Sequence, residues 1–224
     1  MLSDYQILAT EFARDDAGRI QTAERDRAIQ LAVQRYSKDI ERLKVEDVVV
    51  TDANTLPLPA AWEADVSELR SLEYPVDEIP PCYLSQERYG LYQKPASTII
   101  RLLDAVAAAA TIRVAYTITH VVSTSTDSIP VKDREPVACW AAALLCDQLA
   151  AFYSGGTDST IQADSAPGQS RAQEYSARAR SLRKRYLDEL GIDDKRNVAA
   201  GAVVNLNATD SRGGDRLTHQ ARYR

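Results

Sequence analysis

Residues 111–119, TIRVAYTIT, decide the fold class. Ile112, Val114, Tyr116 and Ile118 alternate with Arg113, Ala115, Thr117 and Thr119. A period of two puts the first set on one face of a pleated strand and the second on the other. Upstream, Val48-Val49-Val50 is β-branched and Asn54 to Pro59 is turn material. Six prolines fall between Val45 and Pro95, so a helix of any length cannot persist there. Short strands are expected over 65–73, 84–93 and 97–103. Their short links indicate an antiparallel sheet and not βαβ units.

Helical periodicity lies on both sides of this region. Ser3 to about Asp15 reads as a short helix, with Ser3 and Gln6 at capping-box spacing and Tyr5, Leu8 and Phe12 on one face. Gly18 separates it from a second helix over about 22–43, whose stripe is Ile29, Val33, Tyr36, Ile40 and Leu43. The two form a hairpin. Past Asp133, Pro136 suits a first helical turn, and the Ala- and Leu-rich run to Tyr153 turns Trp140, Leu144, Leu145, Leu149 and Phe152 inward. Gly155-Gly156 stops that helix. A last helix, about 168–190, carries Tyr175, Ala179, Leu182, Tyr186 and Leu190 on one stripe and ends at Gly191. From Asp193 onward no period is sustained, and such a segment cannot bury enough to order itself alone. The expectation is α+β: a bundle of about four helices with an inserted antiparallel β-element and an extended C-terminal arm. Its parts are a helical hairpin over 1–44, a β-rich region over 45–130, the returning helices over 131–192 and the arm over 193–224.

A chain of 224 residues, 45% hydrophobic and 26% charged, buries roughly 70% of its unfolded surface. No 18 apolar residues run uninterrupted, so no transmembrane helix is expected, and the N-terminus lacks a basic-then-apolar signal pattern. The net charge of −5 is unevenly spread: residues 171–224 hold 12 basic and 7 acidic side chains, leaving −10 on residues 1–170. An acidic body repels nucleic acid, whereas the basic end suits an acidic partner or a solvated helix and tail. Three cysteines make no disulfide framework. Cys139 and Cys146 are seven apart on a helix, about 10 Å along its axis and too far to bridge. All three, Cys82 included, read as small buried hydrophobes in a reducing compartment.

One string suggests chemistry. Ser154-Gly155-Gly156-Thr157-Asp158-Ser159 matches the SGGxDS phosphate loop of the ATP pyrophosphatases. That loop needs a strand before it and a helix directly after, so that backbone N–H groups and a helix N-terminus hold the pyrophosphate. Here the preceding residues are helix formers, Pro167 and Gly168 follow too soon, and few residues remain for a parallel-sheet domain. His120 and His219 lie at no metal-ligand spacing. Glu63, Asp65, Glu68 and Glu73 read as a solvated acidic face, and no Walker loop, GxSxG elbow or HExxH appears. No catalytic residue, metal or cofactor is expected.

The order of elements is itself informative. A helical hairpin, a proline-punctuated β-insertion (LPLPAAW, LRSLEYPVDEIPPCYL, TIRVAYTITH), the helix ACWAAALLCDQLAAFYS and a Tyr/Arg helix ending YLDELG resemble the head-to-tail adaptor (connector, head-completion) proteins of tailed bacteriophages, over about residues 1–192. The resemblance implies a structural virion protein at the neck, made in the host cytoplasm. It implies a homo-oligomeric ring, usually of twelve copies, between the portal protein and a tail, stopper or terminator protein. Viral DNA passes through such a ring unread, and no membrane is involved. An acidic lumen fits, because DNA binding needs Lys and Arg to neutralise phosphates. The resemblance also implies a C-terminal arm docked on the portal, and the residues to carry it are Val203, Val204, Leu206, Arg212, Arg216, Arg222 and Arg224. An ATP-binding enzyme using 154–159, or a cytosolic α+β binding module with a basic tail, are the other readings.

Overall fold

In the computed structural model, residues 1–15, 17–95, 97–107, 109–155 and 171–192 are described. Within them the elements run α1 (Leu2–Ala13), α2 (Thr22–Asp39), β1 (Arg42–Val49), β2 (Thr55–Pro57), β3 (Leu69–Glu73), β4 (Tyr89–Lys94), β5 (Ser97–Leu102), β6 (Thr111–Ile118), α3 (Arg134–Ser154) and α4 (Arg171–Leu190). The fold is α+β, with the β-insertion entering between α2 and α3.

The bundle is organised around α3, which packs against α1, α2 and α4. Val137, Ala138, Cys139, Ala141, Ala142, Ala143, Leu145 and Cys146 are all completely buried. A helix apolar on every side belongs in a core. Contrary to the expectation from uninterrupted runs, Val131–Ser154 has the length and mean hydropathy, 1.3 over its most apolar window, of a membrane-crossing helix. Here 56% of that window is buried, against the three neighbouring helices. The alanines of α3 let its neighbours approach closely, and completely buried large side chains, Tyr5, Tyr36, Tyr186 and Leu145, fill the rest of the core. Trp140 and Leu144 are only partly buried, and Phe152, expected to face inward, is 55% exposed beneath the Arg19 guanidinium, 5.2 Å from its ring.

Buried tyrosines join the bundle's elements through their hydroxyls. Tyr186 donates to Asp39 Oδ2 at 2.7 Å and Tyr36 to Asp133 Oδ2 at 2.8 Å, while Tyr5 lies 3.4 Å from Asp127 Oδ1. A buried phenol needs such a partner. Burial and the adjacent carboxylates push all three phenols well above their ordinary value.

The insertion holds two three-stranded antiparallel sheets, ordered β1-β6-β3 and β2-β5-β4, where a single sheet was expected. They share one core: Leu72, Ile112, Val114 and Tyr116 from the first meet Leu56, Ile100 and Leu102 from the second. The alternation in β6 holds, with Ile112, Val114 and Tyr116 completely buried. Three boundaries move. The second helix ends at Asp39, because Ile40 is already extended (φ −126°, ψ 115°) and Leu43 belongs to β1, opposite Thr117. The strand expected from 65 begins at Leu69, since Asp65 has φ 65° and sits in a turn. The strand expected from 84 begins at Tyr89, after a 3-10 turn over Gln86–Arg88. At the N-terminus the Ser3–Gln6 cap is replaced: Asp4 accepts from the Met1 nitrogen at 2.6 Å, and Gln6 instead donates to Asp26 across to α2 at 2.6 Å.

Candidate interaction surfaces

β1 is built inside out. Its inward positions are Arg42, Lys44, Glu46 and Val48, all half-buried, with Lys44 Nζ 2.6 Å from Glu46 Oε1. Its outward positions are Leu43, Val45, Asp47 and Val49, and the three apolar ones are 60%, 55% and 53% exposed. Register fixes this polarity, because Val48 pairs with the buried Ile112 and Val45 with the outward Ala115. A slip of one residue would exchange the faces. Among the described residues β1 is also an edge strand, with β6 as its only neighbour in the sheet.

Carboxylates surround this apolar row. Arg113 Nε lies 2.8 Å from Asp47 Oδ1 and its Nη1 is 2.7 Å from Asp77 Oδ1 and 3.6 Å from Glu73 Oε2. Arg70 pairs with Glu41 and lies 3.2 Å from Glu68 Oε2. Five acids against two guanidiniums leave the face acidic. The hairpin β4–β5 is a second exposed surface. Gly90 to Lys94 are exposed throughout, with Leu91 at 49% and Tyr92 at 46%, and Arg101 sits over the Tyr92 ring at 5.4 Å.

The remaining sequence candidates have structural roles. Glu63 accepts from the Thr119 backbone N–H at 3.0 Å and from its hydroxyl at 2.9 Å, strapping the loop before β3 to the end of β6. Glu73 is buried and accepts from the Asp77 N–H at 3.1 Å. Asp65 is exposed in its turn. His120, just past β6, is buried against Tyr36 with ring centroids 4.8 Å apart. Its Nδ1 lies 3.3 Å from the Ser128 carbonyl, and burial holds the imidazole below its ordinary value. Cys139 and Cys146 are buried thiols, pushed by desolvation up to about 12 and about 11. Cys82 corrects the sequence reading: it is exposed in its Pro-Pro-Cys loop. Among the described residues no group of three His, Cys, Asp or Glu side chains is placed to hold a metal.

The phosphate-loop string begins on a helix. Ser154 is the last residue of α3, its hydroxyl donates to the Ala151 carbonyl at 2.8 Å, and Gly155 continues in right-handed helical geometry (φ −83°, ψ −13°). The strand that such a loop requires before it is therefore replaced by helix. Residues 156–170 lie outside the described residues, as do Val203, Val204, Leu206, Arg212, Arg216, Arg222 and Arg224 of the expected arm.

No family model matches the chain, and no curated protein matches it. Among solved structures, one similar chain comes from the neck of a native GTA particle, computed with C12 symmetry. The two are 14% identical, the match covers 75% of this chain and 87% of that chain, and the TM-score is 0.23. A likeness at that score carries no argument about fold or role.

Proposed function

We propose that this chain is a structural connector of a tailed, phage-like particle. Its copies form a ring between portal and tail, with DNA passing through and no chemistry performed. The observation that carries the reading is the inverted strand β1. An apolar row on a sheet edge invites pairing and aggregation unless something covers it. A ring is closed by heterologous contacts, which need two different surfaces on each copy. The chain offers two: the acidic, apolar face of β1, and the β4–β5 hairpin with Leu91, Tyr92 and Arg101. The element order, a hairpin of helices, a β-insertion and two returning helices, supports the same reading through the resemblance of the sequence to phage adaptors. The acidic balance of residues 1–170 suits a channel that DNA crosses without sticking.

The test is to determine the assembly state of the purified chain, alone and mixed with the portal protein from the same genome, by sedimentation and electron microscopy. Closed rings stacked coaxially on portals are the expected result. Monomers beside bare portals at micromolar concentration overturn the reading. Deleting 197–224 is expected to abolish attachment while the body stays folded; attachment that survives the deletion removes the arm from the proposal.

A further inference from the structure

At one end of the bundle, the last turns of α1 and α3 and the first two turns of α4 enclose a cleft of about 370 Å³. Its described lining includes Arg14, Arg171, Arg178, Tyr153, Tyr175 and Glu174. The tyrosine rings stack with centroids 5.6 Å apart and planes 3° from parallel. Each also has a guanidinium over it, Arg171 at 5.7 Å from Tyr153 and Arg178 at 5.7 Å from Tyr175. The assembly is anchored to the end of α1: Arg178 donates to the Ala13 carbonyl at 3.1 Å and Tyr175 to the Arg14 carbonyl at 3.3 Å.

Among the described residues, the charge here is not neutralised from within. Seven described arginines, from Arg35 to Arg185, close onto carboxylates within 4 Å. The three that line this cleft make no such pair with any described residue, although Glu174 lies among them. Within the described lining, three guanidiniums and one carboxylate leave two positive charges on a concave surface.

We infer that this cleft binds a phosphate ester of nucleotide size, holding its phosphate among Arg14, Arg171 and Arg178. A lone carboxylate engages one guanidinium fork, whereas a phosphate presents enough oxygens for several, and its dianion balances the surplus charge. The volume admits more than a bare oxyanion. Each tyrosine already has a ring and a guanidinium against it, so recognition falls on the phosphate and not on base stacking. The inference is independent of the connector reading and of the string at 154–159.

Calorimetry at low salt tests it with three probes: AMP, inorganic phosphate and a short DNA duplex. The variants are Arg14→Asn with Arg171→Gln, and a control, Arg88→Gln with Arg101→Gln, which removes as much charge at the β4–β5 hairpin. Arg14 occupies left-handed backbone (φ 50°), which asparagine tolerates, and both it and Arg171 are exposed, so the fold is retained; circular dichroism checks this. AMP binding that inorganic phosphate displaces, weakened at least tenfold in the cleft variant and unchanged in the control, is the expected result. Duplex binding alone, with AMP and inorganic phosphate inert, overturns the nucleotide-sized ligand and assigns the arginines to a nucleic-acid backbone instead. No binding by any probe, or equal weakening in both variants, overturns the inference.

Discussion

The helical bundle and the β-insertion bury their apolar residues to different degrees. In the bundle, α3 is enclosed by three helices, and the buried phenols of Tyr5, Tyr36 and Tyr186 each lie against a carboxylate. In the insertion, one modest core serves two small sheets. Ten of the fifteen large apolar side chains left exposed among the described residues fall between Leu43 and Val121. The bundle is finished within one chain. The insertion keeps apolar surface outside, as a part made to meet another molecule does.

That contrast can be broken first in the bundle. Leu145→Ala is expected to cost about 2–5 kcal/mol, because the close-packed helices around α3 cannot collapse into the space; urea unfolding followed by circular dichroism measures it. A cost below about 1 kcal/mol would mean a loosely packed bundle and remove the contrast. Tyr186→Phe is expected to cost about 1.5–3 kcal/mol by the same measurement, since it takes the hydroxyl from Asp39, which Arg35 then holds alone at 2.7 Å. The thiols should sort by region as well. At pH 8 a disulfide reagent should label Cys82 in the native protein and reach Cys139 and Cys146 only on unfolding.

The buried thiols also carry a pH dependence. They ionise at about 12 and about 11 when folded, against an ordinary value near 9. The unfolded chain therefore releases these protons first, and their contribution, complete below pH 9, is lost as pH rises through 9 to 12. Replacing both by alanine should make that alkaline limb shallower, the raised phenols of Tyr5, Tyr36 and Tyr186 keeping the remainder. The smallest effect on stability belongs to the insertion. Leu43→Glu with Val45→Glu should shift unfolding by no more than about 0.5 kcal/mol, because both side chains already meet solvent. The same pair should leave the chain monomeric in sedimentation. A large destabilisation would show that the row contributes to the chain's own fold.

The helices were legible because their stripes repeat locally. Ile29, Val33 and Tyr36 are buried where periodicity puts them, as are Ala179, Leu182 and Tyr186. β6 was legible for the same reason at a period of two. The start of β1 was not, because Leu43 continues the helical stripe of α2 and only the pairing with β6, some 70 residues on, turns it into strand. Its reversed polarity was invisible for the same cause: register is a long-range property. The cleft at the bundle's end gave no local signal either, since Arg14 and Tyr153 are brought to Arg171 by the helix packing alone. The two sheets looked like one because strand order does not follow from strand count.

The central position of α3 also sets a timetable for synthesis. The α1–α2 hairpin leaves the ribosome first and then waits while more than ninety residues of insertion are made before α3 begins. At roughly 5–20 residues per second, the wait is several seconds or more. When α3 does emerge, the side that α4 will cover stays open until residue 190 has cleared the exit tunnel. The β-insertion can be complete before the bundle closes around its own middle. A nascent chain stalled past Ser154 would present a long apolar helix with one flank bare, which makes that interval the point at which a chaperone has most to hold.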